Sequence, residues 1–200
     1  MSAGLLMSLR PRSGRSLSVG AIAGIVVCVA ALAGAALIAS HSSSQPGTTI
    51  PANERAQRVA LVSWESAIHP SVVAAGQVVA LGPRTGVSDV ANRTQPDAKL
   101  RAMATGWASR LTVLASQITA VTTPVFLTSV HELLDNAMSQ YVAATHALVA
   151  ATSARGARRT SLLVAATAHG KNGDHLYDEA AAAIAGWRAR LGLAPDWSAS

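Results

Sequence analysis

The chain has 200 residues, 16 Lys and Arg against 10 Asp and Glu, and a formal net charge of +6. Half of the residues are apolar, but only 4% are aromatic and Ala dominates the remainder, which favours closely packed helices over a sheet of Val, Ile and Tyr. One cysteine, Cys28, excludes an internal disulfide, so packing must supply the stability. The Arg-rich, Lys-poor usage is typical of a GC-rich bacterial genome.

Residues 19–39 form an uncharged stretch whose helix would be about 30 Å long, the thickness of the hydrocarbon core of a bilayer. Three arginines precede it and residues 40–52 carry no Lys or Arg. The length of the stretch therefore predicts a membrane anchor at 19–39. The positive-inside rule predicts its orientation, with a cytoplasmic tail at 1–18 and an extracytoplasmic remainder. The alternative is secretion after signal cleavage near Ala39, although a signal peptide has an apolar core of only about 7 to 15 residues.

Residues 40–52 are rich in Ser, Gly and Pro and predict a flexible tether. The first helix is predicted from Asn53, as its N-cap, to about Leu81, with a kink or a break at Pro70. Residues 82–95 contain Gly, Pro, Asn and Asp and predict the longest loop of the exported part.

A second helix is predicted from Pro96 to about Val121, and a third from Pro124, with Thr123 as its N-cap. The fourth should run over about 157–191 and end at Gly192, leaving 195–200 as a tail. These amphipathic segments predict an all-α protein, in which a single N-terminal transmembrane helix precedes an exported antiparallel four-helix up-down bundle at 53–194. The turns predict that Tyr141 lies opposite His169, Trp107 near Ser139 and Leu111 near Asp135.

Two groups of side chains on the third and fourth helices are candidate sites. His169 lies on the inward stripe beside Gly173 and Tyr141, which predicts a core hydrogen bond to Tyr141 or to a neighbouring backbone carbonyl or, alternatively, a ligand pocket. A metal site could use a pair of residues from each of these two facing helices, or these could be solvated charges that form weak pairs. The four are His131, Asp135, His175 and Asp178.

Five arginines are predicted at the end of the bundle that is farthest from the membrane: Arg84, Arg93, Arg155, Arg158 and Arg159. This basic end would suit a phosphate or carboxylate polymer of the envelope, or it serves solubility alone. A nucleic-acid partner is not expected, because the domain is exported and lacks interleaved aromatics.

The exported part contains no cysteine and no Gly-x-Ser-x-Gly elbow. We therefore expect that the protein is not an enzyme and binds no cofactor. The sequence favours a membrane-anchored, non-enzymatic protein of the bacterial envelope that binds a protein or a wall polymer. The alternative is a small-molecule or metal-binding bundle that uses the interior near His169 or the His131 and Asp135 face.

Overall fold

A computed structural model describes residues 52–194, which form helices joined by short connections and contain no strand. The predicted all-α class is confirmed. The helices are α1 (Ala52–Val79), α2 (Thr85–Asn92), α3 (Asp97–Thr119), α4 (Thr128–Ser153) and α5 (Gly156–Arg190), with a π-helical segment at Ala80–Arg84 and a 3-10 turn at Val125–Leu127. The predicted anchor, tails and most of the tether lie outside this range, within which no helix is long and apolar enough to cross a membrane.

The four long helices α1, α3, α4 and α5 pack as a bundle in which neighbours run in opposite directions. The Arg101 Nε of α3 donates to the Thr152 hydroxyl at the end of α4, at 3.4 Å. The Thr119 hydroxyl, at the other end of α3, donates to Asp135 Oδ1 near the start of α4, at 2.9 Å. These two contacts pair start with end, as an antiparallel hairpin requires.

The register of α3 against α4 corrects the sequence prediction. Asp135 was expected beside Leu111, but its partner Thr119 lies eight residues further along the chain, about two turns of helix. The reason is the connection, which occupies Ala120–Leu127 and includes a 3-10 turn after Pro124. Thr123 is not a helix cap either, since its hydroxyl donates to the carbonyl of Val121.

The predicted loop at 82–95 is wrong, because most of it is helical. Pro83 has no N–H to donate, and the chain accommodates this by widening into the π segment and continuing as α2. The Thr85 hydroxyl donates to the carbonyl of Ala80 at 3.1 Å. Helical structure ends only at Arg93, which adopts a left-handed conformation with φ of 51°.

The glycines that suggested a loop instead allow close helix packing. A Cβ on Gly82 would lie 3.0 Å from the Trp107 ring, and one on Gly86 would lie 2.5 Å from it. The indole of α3 therefore packs directly on the backbone of the π segment and α2. Gly and Pro predicted a break here, but the two glycines are four apart and so share one helical face.

Pro70 neither breaks α1 nor divides it into two helices. Its ring is exposed to solvent, where water can satisfy the carbonyl that the missing N–H leaves free.

Helix α5 ends as predicted: Gly192 has a φ of 63° and its N–H donates to the carbonyl of Ala189.

One apolar core extends through the bundle, and a smaller one lies beneath α2. The main core includes Leu61 and Ile68 of α1, Leu111 of α3 and Leu134 of α4, all fully or almost fully buried. In the smaller core, Val90 of α2 packs with α3, α4 and α5 residues. Helix α2 thus covers the end of the bundle where α4 ends and α5 begins. We call this end of the bundle the distal end.

Candidate functional site

Tyr141 and Gly173 lie together in the structure, as the sequence suggested, but His169 is not part of the contact. The Tyr141 ring packs against the α5 backbone, where a Cβ on Gly173 would lie 2.6 Å from a ring carbon. The Tyr141 hydroxyl donates to Asp174 Oδ1 at 2.8 Å. Arg84 of the π segment donates to the same oxygen at 2.9 Å. Asp174 therefore joins three helical segments.

The electrostatics of this contact keep the tyrosine protonated. Burial raises the pKa of Tyr141 well above its ordinary value, and the neighbouring Asp174 carboxylate raises it further. A phenol in this setting remains a hydrogen-bond donor and cannot act as a base near neutral pH. The arrangement is suited to holding α4, α5 and the π segment together.

His169 is half-buried, and its Nδ1 lies 2.8 Å from Gln140 Oε1. The expected hydrogen bond to Tyr141 is therefore replaced by one to the residue before it. Tyr141 lies closer to Gly173 and Asp174, one turn further along α5, so the predicted pairing of α4 with α5 is right to within about a turn.

The four candidate metal ligands do not converge. His131 lies 3.6 Å from Asp135 on α4, and its ring packs edge-on against Trp64 of α1, with centroids 6.1 Å apart. His175 is exposed on α5 and faces Glu179, at 3.3 Å. Within residues 52–194, no group of three His, Cys, Asp or Glu side chains has a geometry that could hold a metal ion.

A buried ion pair inside the bundle was not predicted from the sequence. Arg188 Nη1 of α5 donates to Glu65 Oε2 of α1 at 2.5 Å, and the two side chains are only 6% and 3% exposed. Arg188 Nε also donates to the carbonyl of Ala194, just beyond α5, at 2.6 Å. This pair therefore connects the first helix, the last helix and the segment that follows it.

Burial dominates the electrostatics of Glu65. Loss of water raises the pKa of its carboxyl above the ordinary 4.5, although the charges of Arg188 and His69 oppose the shift. The other carboxyl oxygen, Oε1, is buried without a hydrogen-bond partner among the described residues. A buried carboxylate without a cation beside it is costly, so removing Arg188 should strongly lower the free energy of unfolding.

A signal for this pair was present in the spacing. Glu65 is four residues after the core residue Leu61, and Arg188 is four residues after Ile184. Opposite charges that continue apolar stripes on two antiparallel helices predict a buried pair. Long charged side chains are usually exposed, which is why a pattern search based on apolar residues alone omits them.

The five arginines assigned to the distal end have three different environments. Arg84 is paired with Asp174 in the middle of α5. Arg159 is buried, and its Nη2 donates to the carbonyl of Val90 in the last turn of α2. Because the last carbonyls of a helix have no partner within it, this guanidinium caps the C-terminus of α2.

Arg93, Arg155 and Arg158 remain exposed at the distal end, and we refer to them as the distal arginines. The contact between Arg159 and Val90 brings their two segments together, since Arg93 follows Val90 by three residues and Arg158 directly precedes Arg159. The three charges therefore share one end of the bundle, around the start of α5.

Comparison of the chain with protein-family models, curated proteins and solved structures found no match.

Proposed function

We propose that this protein is a non-enzymatic, membrane-anchored bundle of the bacterial envelope, whose distal arginines bind an anionic wall polymer. Residues 19–39 would hold it in the membrane and residues 40–52 would tether the bundle outside. The distal end would then lie away from the membrane, because α1 begins at the opposite end of the bundle. A protein partner with an acidic surface is the competing form of this proposal.

The observation that carries the proposal is that each distal arginine occupies a position where helix stability favours another residue. Arg93 has a left-handed conformation, which costs a non-glycine residue about 1 to 2 kcal/mol. Arg155 is the N-cap of α5, where Ser, Asp or Asn would be more stable by about 0.5 to 2 kcal/mol.

Arg158 lies in the first turn of α5, at the positive end of the helix dipole, and that turn contains no acidic residue. Positive charge is thus concentrated where the fold itself would favour negative charge. A bound anion offsets this repulsion, because both the arginines and the free N–H groups of the helix start attract it.

The test is binding of the full chain, in detergent micelles, to linear polyphosphate and to polygalacturonate, which separate phosphate from carboxylate recognition. One variant combines Arg93→Asn, Arg155→Asn and Arg158→Gln. Its matched control, Arg55→Gln with Arg110→Gln and Lys171→Gln, removes the same charge from exposed positions elsewhere.

We expect the distal variant to bind at least one of the polymers roughly tenfold more weakly than the control does, and to be as stable as the wild type or more so. Equal weakening in both variants would mean that only net charge matters. A wild-type chain that binds neither polymer would refute the polymer proposal and leave the acidic protein partner to be tested by crosslinking.

A further inference from the structure

The outward face of α1 and the π segment carries no exposed charge over 25 residues, the longest such stretch in the described part of the chain. Between Val59 and Pro83 the only ionisable residues are Glu65, which is buried, and His69, which is half-buried. The exposed side chains of this stretch are small or apolar, except for that of Gln77. They include Val59 at 66% exposure, Val62 at 36%, Val73 at 47% and Leu81 at 66%.

The other long helices carry exposed charges over part of their length, with none between Arg110 and Glu132. Helix α3 exposes Lys99, Arg101 and Arg110, and α4 exposes Glu132 and Asn136. An isolated exposed valine needs no explanation, but a row of them along one helix marks a surface that binds something apolar.

This face has both grooves and ridges. A surface cavity of about 590 Å³ is lined by Ala52, Arg55, Ala56, Val59, Ala60 and Ser63. A second, of about 390 Å³, continues from Ala60 and Ser63 towards the connection between α3 and α4. Small residues form the grooves, and valines on the same helix form the adjoining ridges.

We propose that the outward face of α1 pairs with the same face of a second copy of this chain. A twofold interface requires a patch that is complementary to itself, and a patch with valine ridges beside alanine grooves meets that requirement. The absence of exposed charge between Val59 and Pro83 matters equally, because pairing identical faces would otherwise bring like charges together in a chain whose net charge is +6.

The size of the face fits a weak dimer. The stretch without exposed charge has 25 residues, and a strip about 37 Å long and about 12 Å wide amounts to about 450 Å² per copy, at the low end of the range for protein interfaces. If the chain is anchored as proposed above, both copies lie in one membrane with their α1 helices parallel. Ser63 and Ala67 would then each lie near their own counterparts.

The first test is disulfide crosslinking of the full chain in membranes, in a Cys28→Ser background that removes the natural cysteine. Ser63→Cys and Ala67→Cys are compared with Ser139→Cys, which is exposed on the polar face of α4. We expect covalent dimers from the first two and at least tenfold less from the third. Equal yields at all three positions would indicate random collision and overturn the proposal.

The second test is sedimentation of the purified full chain in detergent, with Val59→Lys compared with Val164→Lys. The two valines are equally exposed, at 66% and 64%, but Val164 lies on α5. We expect Val59→Lys alone to raise the dimer dissociation constant tenfold or more, with no change in thermal unfolding. A wild-type chain that remains monomeric would overturn the proposal. If the thiol of the Ser63→Cys variant is then shielded from a thiol reagent, lipid or another segment covers the face.

Discussion

Two arginine and carboxylate pairs with similar geometry lie in different surroundings in this bundle. Arg188 and Glu65 are 6% and 3% exposed, whereas Arg84 and Asp174 are 45% and 38% exposed. The buried pair has lost its water, so each charge depends on the other. The exposed pair retains water and is screened by salt, so its attraction contributes little. Depth rather than distance therefore decides which pair matters to the fold.

The largest effect is expected from Arg188→Met at neutral pH. It leaves the buried Glu65 carboxylate without its guanidinium, which should lower the free energy of unfolding by about 3 to 5 kcal/mol. Urea unfolding followed by circular dichroism measures the loss. Replacing both partners, Glu65→Leu with Arg188→Leu, should restore most of it, because no unpaired charge then remains buried. A double variant as unstable as Arg188→Met would show that the unpaired charge is not the cause.

The next largest effect is expected where the Tyr141 ring packs on the backbone of α5, beside the exposed pair. Gly173→Ala places a Cβ 2.6 Å from the Tyr141 ring and should destabilise the bundle by about 1 to 3 kcal/mol. Gly170→Ala is the matched control on the same helix, where a Cβ meets nothing within 4 Å. It should raise the stability by up to about 1 kcal/mol, because Ala favours a helix over Gly. Similar changes in thermal unfolding for both variants would disprove the close contact.

A smaller effect is expected in the pH dependence of Glu65. Because burial raises its pKa above 4.5, the folded protein retains a proton that the unfolded chain releases as the pH rises past that value. The stability of the wild type should therefore fall, relative to Glu65→Gln, as the pH rises from 4.5 through the raised pKa, and then level off. Denaturant unfolding of both proteins between pH 4 and 8 measures this. A rise in the stability of the wild type relative to Glu65→Gln over this pH range would mean that the attraction of Arg188 outweighs the effect of burial on the pKa of Glu65.

The smallest effect is expected from Arg84→Met, which removes the exposed ion pair but leaves the Tyr141 hydroxyl bound to Asp174. The loss should be below about 1 kcal/mol and should vanish in high salt. Comparing unfolding at low and at high sodium chloride checks both points. A loss as large as that of Arg188→Met would remove the distinction between the two pairs.

The helix class and the four long helices could be predicted because their apolar residues recur at helical spacing. The stripe from Leu100 to Ile118 is largely buried in α3, and the one from Val130 to Leu148 is largely buried in α4. Periodicity failed at 82–95, where Gly82, Pro83 and Gly86 are typical of loops. Their helical conformation depends on the Trp107 ring, a contact from another helix that local sequence does not contain.

The candidate site was harder to predict because partners depend on register. Tyr141 was identified as an inward residue, but a shift of about one turn exchanged His169 for Asp174 as its partner. The buried location of Arg159 follows from its contact with α2, a helix that was predicted to be a loop. Apolar faces tolerate such shifts, whereas a hydrogen bond between two named side chains does not.

The buried Glu65 and Arg188 pair is expected to hold the bundle together, and the distal arginines are proposed to bind an anion, so one measurement on both tests this division directly. Affinity for the anionic polymer is compared between the wild type, the Glu65→Leu with Arg188→Leu variant, and the variant lacking the distal arginines. We expect unchanged affinity for the first variant and about tenfold weaker binding for the second. Loss of binding on removal of the buried pair, with the distal variant unaffected, would contradict this division.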